Sequence, residues 1–151
     1  MTYAEEAIDV ARAAADVGLP AVVSFTVETD GRLPSGQTLG DAIAQVDATC
    51  RVAPAYYMVN CAHPTHFANE LDADAPWRAR VHGVRANASR LSHAELDEAT
   101  ELDRGDIEEL GALYASLGSM IDLRVVGGCC GTDHEHLATI ASALDRAGVA
   151  R

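Results

Sequence analysis

Length, composition and charge narrow the functions open to this chain. Its 151 residues are 48% hydrophobic and 23% charged, which is enough for one ordinary domain with a buried core. Lys and Arg total 11 against 23 Asp and Glu, so the net charge is −12. Nucleic acids and anionic membranes bind basic patches, and neither is expected as a partner.

The apolar runs and the first residues of the chain bear on its location. No apolar run approaches the ~20 residues of a membrane-spanning helix. The first residues are acidic and amphipathic, unlike the basic and then apolar start of a secretory signal. We therefore expect a cytoplasmic protein. In that reducing compartment, four cysteines favour thiolate chemistry or burial over disulfides.

The first part of the chain predicts two helices and two strands. Thr2-x-x-Glu5 is typical of a capping box, and Gly18 ends the helix that this box would start. A strand over residues 21–26 leads through a turn-rich loop to a second helix, and residues 56–60 form the second strand. The inward-facing residues of the two helices are Ala4, Ala7, Ile8, Ala11 and Ala15, then Leu39, Ala42, Ile43 and Val46.

The middle of the chain continues the same alternation. Pro64 and Thr65 open a helical stretch that runs to about residue 71, and Trp77 is expected to anchor the following connection by packing. A third strand lies near residues 82–87. An acid-rich polar segment, residues 88–105, then contains a short helix capped by Ser92-x-x-Glu95.

The last part of the chain predicts a helix, a strand and a helix. Asp106-x-x-Glu109 caps the first helix, residues 123–126 form the fourth strand, and Thr132-x-x-Glu135 caps the final helix. The inward residues are Ile107, Leu110, Leu113, Tyr114 and Leu117 on the first helix, and Leu137, Ile140, Ala141 and Leu144 on the last.

This order of elements predicts an α/β fold built from parallel (β/α) units. Short apolar strands that alternate with helices form parallel sheets covered by those helices. Cys61 follows the second strand, and Cys129 with Cys130 follows the fourth. The carboxyl ends of parallel strands are where barrel and open α/β enzymes hold their active sites. We therefore expect these cysteines at one functional edge.

The run Gly127-Gly128-Cys129-Cys130-Gly131-Thr132 suggests a metal site. Adjacent strand residues point to opposite faces, so both thiols meet at one point only if the backbone turns there, as glycine permits. With one strand between them, the second and fourth strands lie roughly 10 Å apart, a gap that two cysteine side chains can largely close. We predict a Zn²⁺ site formed by Cys61, Cys129 and Cys130, with one open position.

Other interpretations of the cysteines and histidines stay open at this point. Cys129 and Cys130 could form a strained redox pair, while Cys50 is expected to be a small buried apolar residue. His134 and His136 are expected in solvent, because residues two apart do not share a helix face. His63 and His66 either support the metal site from behind or lie on a surface helix.

The same residues resemble the homocysteine S-methyltransferase family. The matching pieces are Ser24-Phe25-Thr26 with Asp30-Gly31-Arg32-Leu33 and Gly36, then Asn60-Cys61, and finally Gly127-Gly128-Cys129-Cys130-Gly131-Thr132. The resemblance runs along nearly all 151 residues. It implies zinc held by the three cysteines, with homocysteine thiolate in the fourth position and a methyl donor opposite: S-methylmethionine, S-adenosylmethionine or betaine. Asn87 resembles an active-end asparagine of the family, which implies substrate binding.

The resemblance also implies an incomplete barrel. The family fold is an eight-stranded (β/α) barrel of typically ~250 residues. Residues 1–151 resemble its second half, strands five to eight, as a single incomplete domain that begins just after strand four. The chain is then expected to be a fragment, or to pair with a separate N-terminal half or with itself. A non-catalytic zinc-binding half-domain and a thiol redox protein are the alternatives to a homocysteine methyltransferase that makes methionine.

Overall fold

A computed structural model describes residues 1–71 and 74–149 of the chain. Six α-helices and four strands are found in these described residues. They are α1 (Ala4–Asp16), β1 (Val22–Thr26), α2 (Leu39–Thr49), β2 (Tyr56–Asn60), α3 (Ala68–Leu71), β3 (Val81–Ala86), α4 (His93–Glu98), α5 (Ile107–Met120), β4 (Val125–Gly128) and α6 (His134–Arg146). Short 3-10 helices, Pro64–His66 and Pro76–Arg80, precede α3 and β3.

The four strands form one parallel sheet in the order β1-β2-β3-β4. The predicted α/β class is confirmed, and the arrangement is consistent with half of a (β/α) barrel. All strand carboxyl ends lie at the same edge because every pairing is parallel. Within the described residues β1 and β4 are the edge strands, and Met1 bonds to the β1 edge through Ser24 O and Thr26 N. The extent of the domain, 1–151, stays a prediction.

One face of the sheet packs against the helices to form the core. The strand residues on this face are Val23, Phe25, Tyr57, Val59, Val84 and Ala86, all at most 1% exposed. They join the apolar faces of α1, α2, α5 and α6. Burying this apolar area is the main favourable contribution to folding. The helices of the described residues therefore cover one face of the sheet and leave its other face uncovered.

The opposite face of the sheet is partly polar. The register pairs Thr26 with Asn60 and Asn60 with Arg85, so these side chains share this face. The side chain of Asn60 accepts from the Ser24 hydroxyl at 2.6 Å and donates to Thr26 Oγ1 at 3.1 Å. Val22, 42% exposed, is an apolar residue on the same face. Asn60 directly precedes Cys61, so this polar row leads to the cysteine.

Two predicted helix caps are wrong. Tyr3 precedes α1 without a side-chain cap, and Glu6 rather than Glu5 accepts from the Thr2 N–H, at 3.4 Å. The final helix is capped by Asp133, one residue later than predicted, because Thr132 instead donates its hydroxyl to the Cys129 carbonyl at 2.7 Å. The Glu5 carboxylate accepts from Gln45 Nε2 at 3.0 Å, so in both places another group competes for a side chain that the spacing rule assigns to the cap.

The other predicted caps agree with the structure. Ser92 and Glu95 form the reciprocal capping box of α4. Asp106 accepts from the Glu109 N–H at 2.9 Å at the start of α5. Gly18 has φ of +72° just after α1, as a helix-ending glycine should. Trp77 packs against the core, as predicted.

The inward face of α6 differs from the predicted one. Leu137 is 45% exposed and Ala141 is also exposed, whereas His136 is fully buried rather than in solvent. His136 Nδ1 lies 2.9 Å from Asp133 Oδ1, and its Nε2 donates to the Arg104 carbonyl at 2.9 Å. The buried face of α6 thus includes the polar residue His136, whereas the apolar pattern predicted Leu137 and Ala141 there.

The fourth strand also begins later than predicted, at Val125 rather than Leu123. Leu123 bonds within its own turn, to the Ile121 carbonyl at 2.9 Å. Gly127 and Gly128 complete the strand by pairing with Arg85 and Ala86. The strand therefore runs directly into the cysteine pair. Among the helices of residues 1–71 and 74–149, none is both long and apolar enough to cross a membrane.

Candidate metal centre

Cys61 takes an unusual backbone conformation directly after β2. Its φ is +54°, the left-handed region that side-chain-bearing residues seldom adopt, and its N–H donates to the Arg85 carbonyl at 3.1 Å. The chain therefore leaves the sheet in an abrupt turn at this residue. Such a conformation persists only where surrounding contacts hold it, and it is frequent at functional sites.

Cys129 and Cys130 follow β4 in a turn that is fastened to the end of β3. The Cys129 N–H donates to the Ala86 carbonyl at 2.8 Å, and the Cys130 carbonyl accepts from the Ala88 N–H at 2.9 Å. Gly131 then adopts φ of +79°, and a side chain there would overlap the Asp103 carbonyl oxygen. The strand therefore ends at the vicinal pair, which lets both thiols turn toward one point.

The three predicted ligand sulfurs come together across β3. The Sγ atoms of Cys61, Cys129 and Cys130 all lie within 4.8 Å of one another. Tetrahedral zinc with Zn–S bonds of ~2.3 Å places its sulfurs ~3.8 Å apart. A set of three thiol ligands favours zinc over harder cations. The residues present therefore fit a zinc ion with three protein ligands.

The surroundings of the Cys61 thiol raise its pKa. Burial raises this pKa above its usual value, and the neighbouring Cys129 thiol raises it further. Ionisation of Cys61 beside this neighbour is unfavourable because two thiolates would repel each other. A bound divalent cation reverses this by stabilising each thiolate. Cys61 and Cys129 are half-buried and Cys130 is exposed, so the cluster opens to solvent on the Cys130 side.

Asn87 connects the two cysteine turns. Its Nδ2 donates to the Cys61 carbonyl at 3.1 Å, and its Oδ1 accepts from the Cys130 N–H at 3.1 Å. The residue is 2% exposed and follows β3, the strand between the two turns. The predicted role of Asn87 in substrate binding stays a prediction. Its observed contacts fix the spacing of the two turns.

Sequence reasoning missed His93, which contacts the Cys61 turn, and Glu28, which contacts His93. His93, the first residue of α4, donates from Nε2 to the Cys61 carbonyl at 2.6 Å. Its Nδ1 lies 3.1 Å from Oε2 of Glu28, in the loop after β1. Neither residue belongs to a motif with a distinctive spacing. The only sequence signal was that His93 lies in a segment following a strand at the functional edge.

The remaining histidines lie apart from the sulfur cluster. His63 is 1% exposed, and burial lowers its pKa to about 4. Its Nδ1 caps the following 3-10 helix by accepting from the Thr65 N–H at 3.4 Å. His66 Nε2 donates to the Arg90 carbonyl at 2.9 Å, and His134 is exposed on α6. His63 therefore supports the fold behind the Cys61 turn.

Cys50 is not part of the cluster. It is 8% exposed at the end of α2, within the core, and its thiol lies 3.9 Å from the Ile8 carbonyl. The prediction of a small buried apolar residue is confirmed. Cys50 therefore provides a matched control for substitutions of the other three cysteines.

A cavity adjoins the sulfur cluster. Its volume is about 210 Å³, and it lies between the 88–105 segment and the turn that carries Cys130. Leu96 and Leu102 line it on one side, while Asn87 and Cys130 line it on the other. A small organic molecule that reached the exposed Cys130 side would have room here.

Comparison with known proteins agrees with the geometry. The family model described as homocysteine S-methyltransferase matches residues 1–144. Methionine synthase of Mycobacterium leprae (strain TN) is 30% identical over 137 residues, covering 85% of this chain and 10% of that protein. The chain thus spans about a tenth of the length of this curated relative. The family match covers all four strands and the three clustered cysteines, and the chain belongs to the homocysteine S-methyltransferase family.

Proposed function

We propose that this chain forms the zinc-binding half of a homocysteine S-methyltransferase. In this proposal Cys61, Cys129 and Cys130 hold Zn²⁺. A sulfonium or ammonium donor (S-methylmethionine, S-adenosylmethionine or betaine) gives its methyl group to the homocysteine thiol, yielding methionine. The observation that carries the proposal is the approach of the three Sγ atoms to within 4.8 Å, from the ends of two strands that do not touch each other.

The residues of the chain suit this chemistry. When bound, zinc would lower the pKa of the substrate thiol and keep the sulfur nucleophilic near neutral pH. The chain leaves the cluster open on the Cys130 side, beside the cavity of about 210 Å³, so a substrate sulfur has access. We also propose that Asn87, which lines that cavity, lies next to the bound substrate.

Methyl transfer of this kind needs positioning more than acid–base catalysis. The donor loses a positive charge as the methyl group moves, so its leaving group departs neutral and requires no proton. Holding two reactants in line contributes most when both are fixed by rigid surroundings. The parallel sheet and the bridge through Asn87 provide that rigidity for the cysteine side of the reaction.

The other half of the barrel is the partner that this proposal requires. The face of the sheet opposite the helices carries Val22, 42% exposed, and Arg85, also exposed. In an eight-stranded barrel such a face is covered by the remaining strands. We propose that an N-terminal half, either in the same longer protein or in a separate chain, or a second copy of this chain, covers it. A zinc-binding half-domain without activity of its own is the alternative.

Metal analysis of the purified chain tests the metal site. We expect about one zinc per chain, lost in Cys61→Ser and Cys130→Ser and kept in the matched control Cys50→Ser. Unchanged zinc content in Cys61→Ser would remove Cys61 from the site. Freely reactive Cys129 and Cys130 thiols in a chain that binds no metal would favour the thiol redox alternative.

Activity is tested separately from metal binding. The zinc-loaded chain is assayed for methionine formation from homocysteine with each donor, alone and after mixing with the first half of a homologous barrel. Activity only in the mixture supports a half-barrel enzyme. Zinc binding without activity in the mixture supports the non-catalytic alternative.

A further inference from the structure

Three loops of the functional edge meet at the imidazole of His93. The residue itself begins α4, in the segment that follows β3. Its Nε2 donates to the carbonyl of Cys61, after β2, at 2.6 Å, and its Nδ1 lies 3.1 Å from a carboxylate oxygen of Glu28, after β1. The His93 and Glu28 side chains are 34% and 38% exposed. A single side chain thus fixes the relative position of three loops.

The carbonyl that His93 contacts belongs to a residue under conformational strain. Cys61 has φ of +54°, a conformation that is unfavourable for an L-residue and is kept only by surrounding contacts. Its carbonyl accepts two hydrogen bonds, from His93 and from Asn87. Because these bonds fix the plane of the peptide that follows Cys61, they help to hold the backbone conformation from which its thiol projects.

We propose that His93 is a positioning residue for the metal site, which sets the orientation of Cys61 through the Cys61 carbonyl, and that Glu28 orients the imidazole. This inference rests on the proposed metal site, and it adds residues to which no role has been assigned. Residues behind metal ligands tune affinity by 10–100-fold in other metal sites. His93 acts here on the main chain of a ligand, whereas Asn87 links two ligand turns.

The arrangement also couples the metal site to the neighbouring cavity. α4 carries His93 at its start and Leu96 one turn later, and Leu96 lines the cavity of about 210 Å³. A molecule that shifts α4 from this cavity would also shift the donor to the Cys61 carbonyl.

Cobalt substitution tests the proposal without an activity assay. Co²⁺ in a thiolate site gives absorption bands whose energy and intensity report its geometry. We expect His93→Ala to weaken Co²⁺ binding about 10–100-fold and to change these bands. His93→Gln, which keeps a side-chain N–H donor, should recover most of the affinity and the wild-type spectrum.

His82→Ala is the matched control. His82 also places a ring nitrogen against a main-chain carbonyl, at 2.8 Å from Asp122 O, but at the opposite end of the sheet. This variant should keep the wild-type Co²⁺ affinity and spectrum even if it lowers thermal stability. Glu28→Ala, which leaves His93 in place, should weaken binding by a smaller factor and remains testable if His93→Ala does not fold.

The outcomes separate the two proposals. Wild-type protein that binds neither Co²⁺ nor Zn²⁺ would overturn the metal site and the role of His93 with it. Wild-type binding with an unchanged affinity and spectrum in His93→Ala would overturn the role of His93 alone. Equal losses in His93→Ala and His82→Ala would show a general loss of stability, which also counts against positioning.

Discussion

Asn87 donates to the carbonyl of Cys61 at 3.1 Å, and this bond links the end of β3 to the Cys61 turn that follows β2. The same amide accepts from the N–H of Cys130. We predict that Asn87→Ala weakens Zn²⁺ binding by about 10–100-fold, because both cysteine turns lose their shared partner. Competition with a chromophoric chelator measures the affinity.

Asn87→Asp separates the two ends of this bridge. The aspartate keeps an acceptor for the Cys130 N–H but places a second acceptor against the Cys61 carbonyl. We expect its zinc affinity to fall as far as that of Asn87→Ala if the Cys61 end dominates. Zinc affinity equal to wild type in both variants would contradict the bridging role.

Gly131 should be essential to the turn after the cysteine pair. Its φ is +79°, and a side chain would overlap the Asp103 carbonyl oxygen. Gly131→Ala is expected to lower the free energy of unfolding by about 1–3 kcal/mol and to weaken zinc binding. Denaturant unfolding and zinc titration measure the two effects.

Gly36→Ala provides the control for this substitution. Gly36 has a similar φ of +84°, but no atom lies within 4 Å of the added Cβ. The variant should carry only the conformational cost, about 1 kcal/mol, and should leave zinc affinity unchanged. Equal effects of the two substitutions would show that the overlap at Gly131 is unimportant.

The buried hydroxyl of Tyr114 leads us to predict that the protein loses stability at alkaline pH. This hydroxyl donates to the Gly127 carbonyl at 2.6 Å and accepts from the Ala86 N–H at 2.9 Å, and burial raises its pKa to about 12. The folded protein therefore holds this proton more tightly than the unfolded chain, whose tyrosine pKa is about 10. The protonated hydroxyl therefore contributes fully to the free energy of unfolding below pH 10. This contribution is lost progressively between about pH 10 and 12, by up to roughly 3 kcal/mol.

Tyr114→Phe isolates this effect. Tyr57 also has a raised pKa, from burial and its bond to Asp47, so wild type and variant are compared at each pH. At neutral pH the variant should be about 1–3 kcal/mol less stable, because the Ala86 and Gly127 main-chain groups lose a partner. The difference should shrink above about pH 10. A constant difference across this range would argue against the raised pKa of Tyr114.

The proposed partner half predicts association in solution. Val22 is 42% exposed on the sheet face opposite the helices, and β1 and β4 are edge strands in the part of the chain described. Unpaired strand edges favour pairing with further strands. Light scattering should show self-association, or a complex with an added N-terminal half. A stable, compact monomer that ignores the added half would contradict the half-barrel proposal.

Much of the fold follows from local patterns in the sequence. β2 was predicted with the bounds that the structure gives, because an apolar run ends sharply at Asn60. The face of α6 could not be predicted, because His136 is buried only through contacts with Asp133 and the distant Arg104. Apolar periodicity cannot identify a buried histidine whose ring is hydrogen-bonded to a loop 32 residues away in sequence.

The candidate site was predictable in composition but not in geometry. Two strand ends followed by cysteines indicated which thiols would meet, and the parallel sheet brings them together. The left-handed backbone of Cys61 and the approach of His93 depend on contacts between separate loops. Such contacts leave no local trace in a single sequence, so the residues that support the ligands were missed.

The position of the thiols just after β2 and β4 has a mechanical consequence. These strands touch only through β3, and 68 positions of chain separate Cys61 from Cys129. An ion held by both would act as a cross-link that removes freedom from the unfolded polypeptide, an entropic gain of about 4 kcal/mol by the reasoning applied to disulfides. Metal binding would then stabilise the sheet as well as prepare it for catalysis. The stability of this half-barrel would therefore depend on how fully the site is occupied by metal.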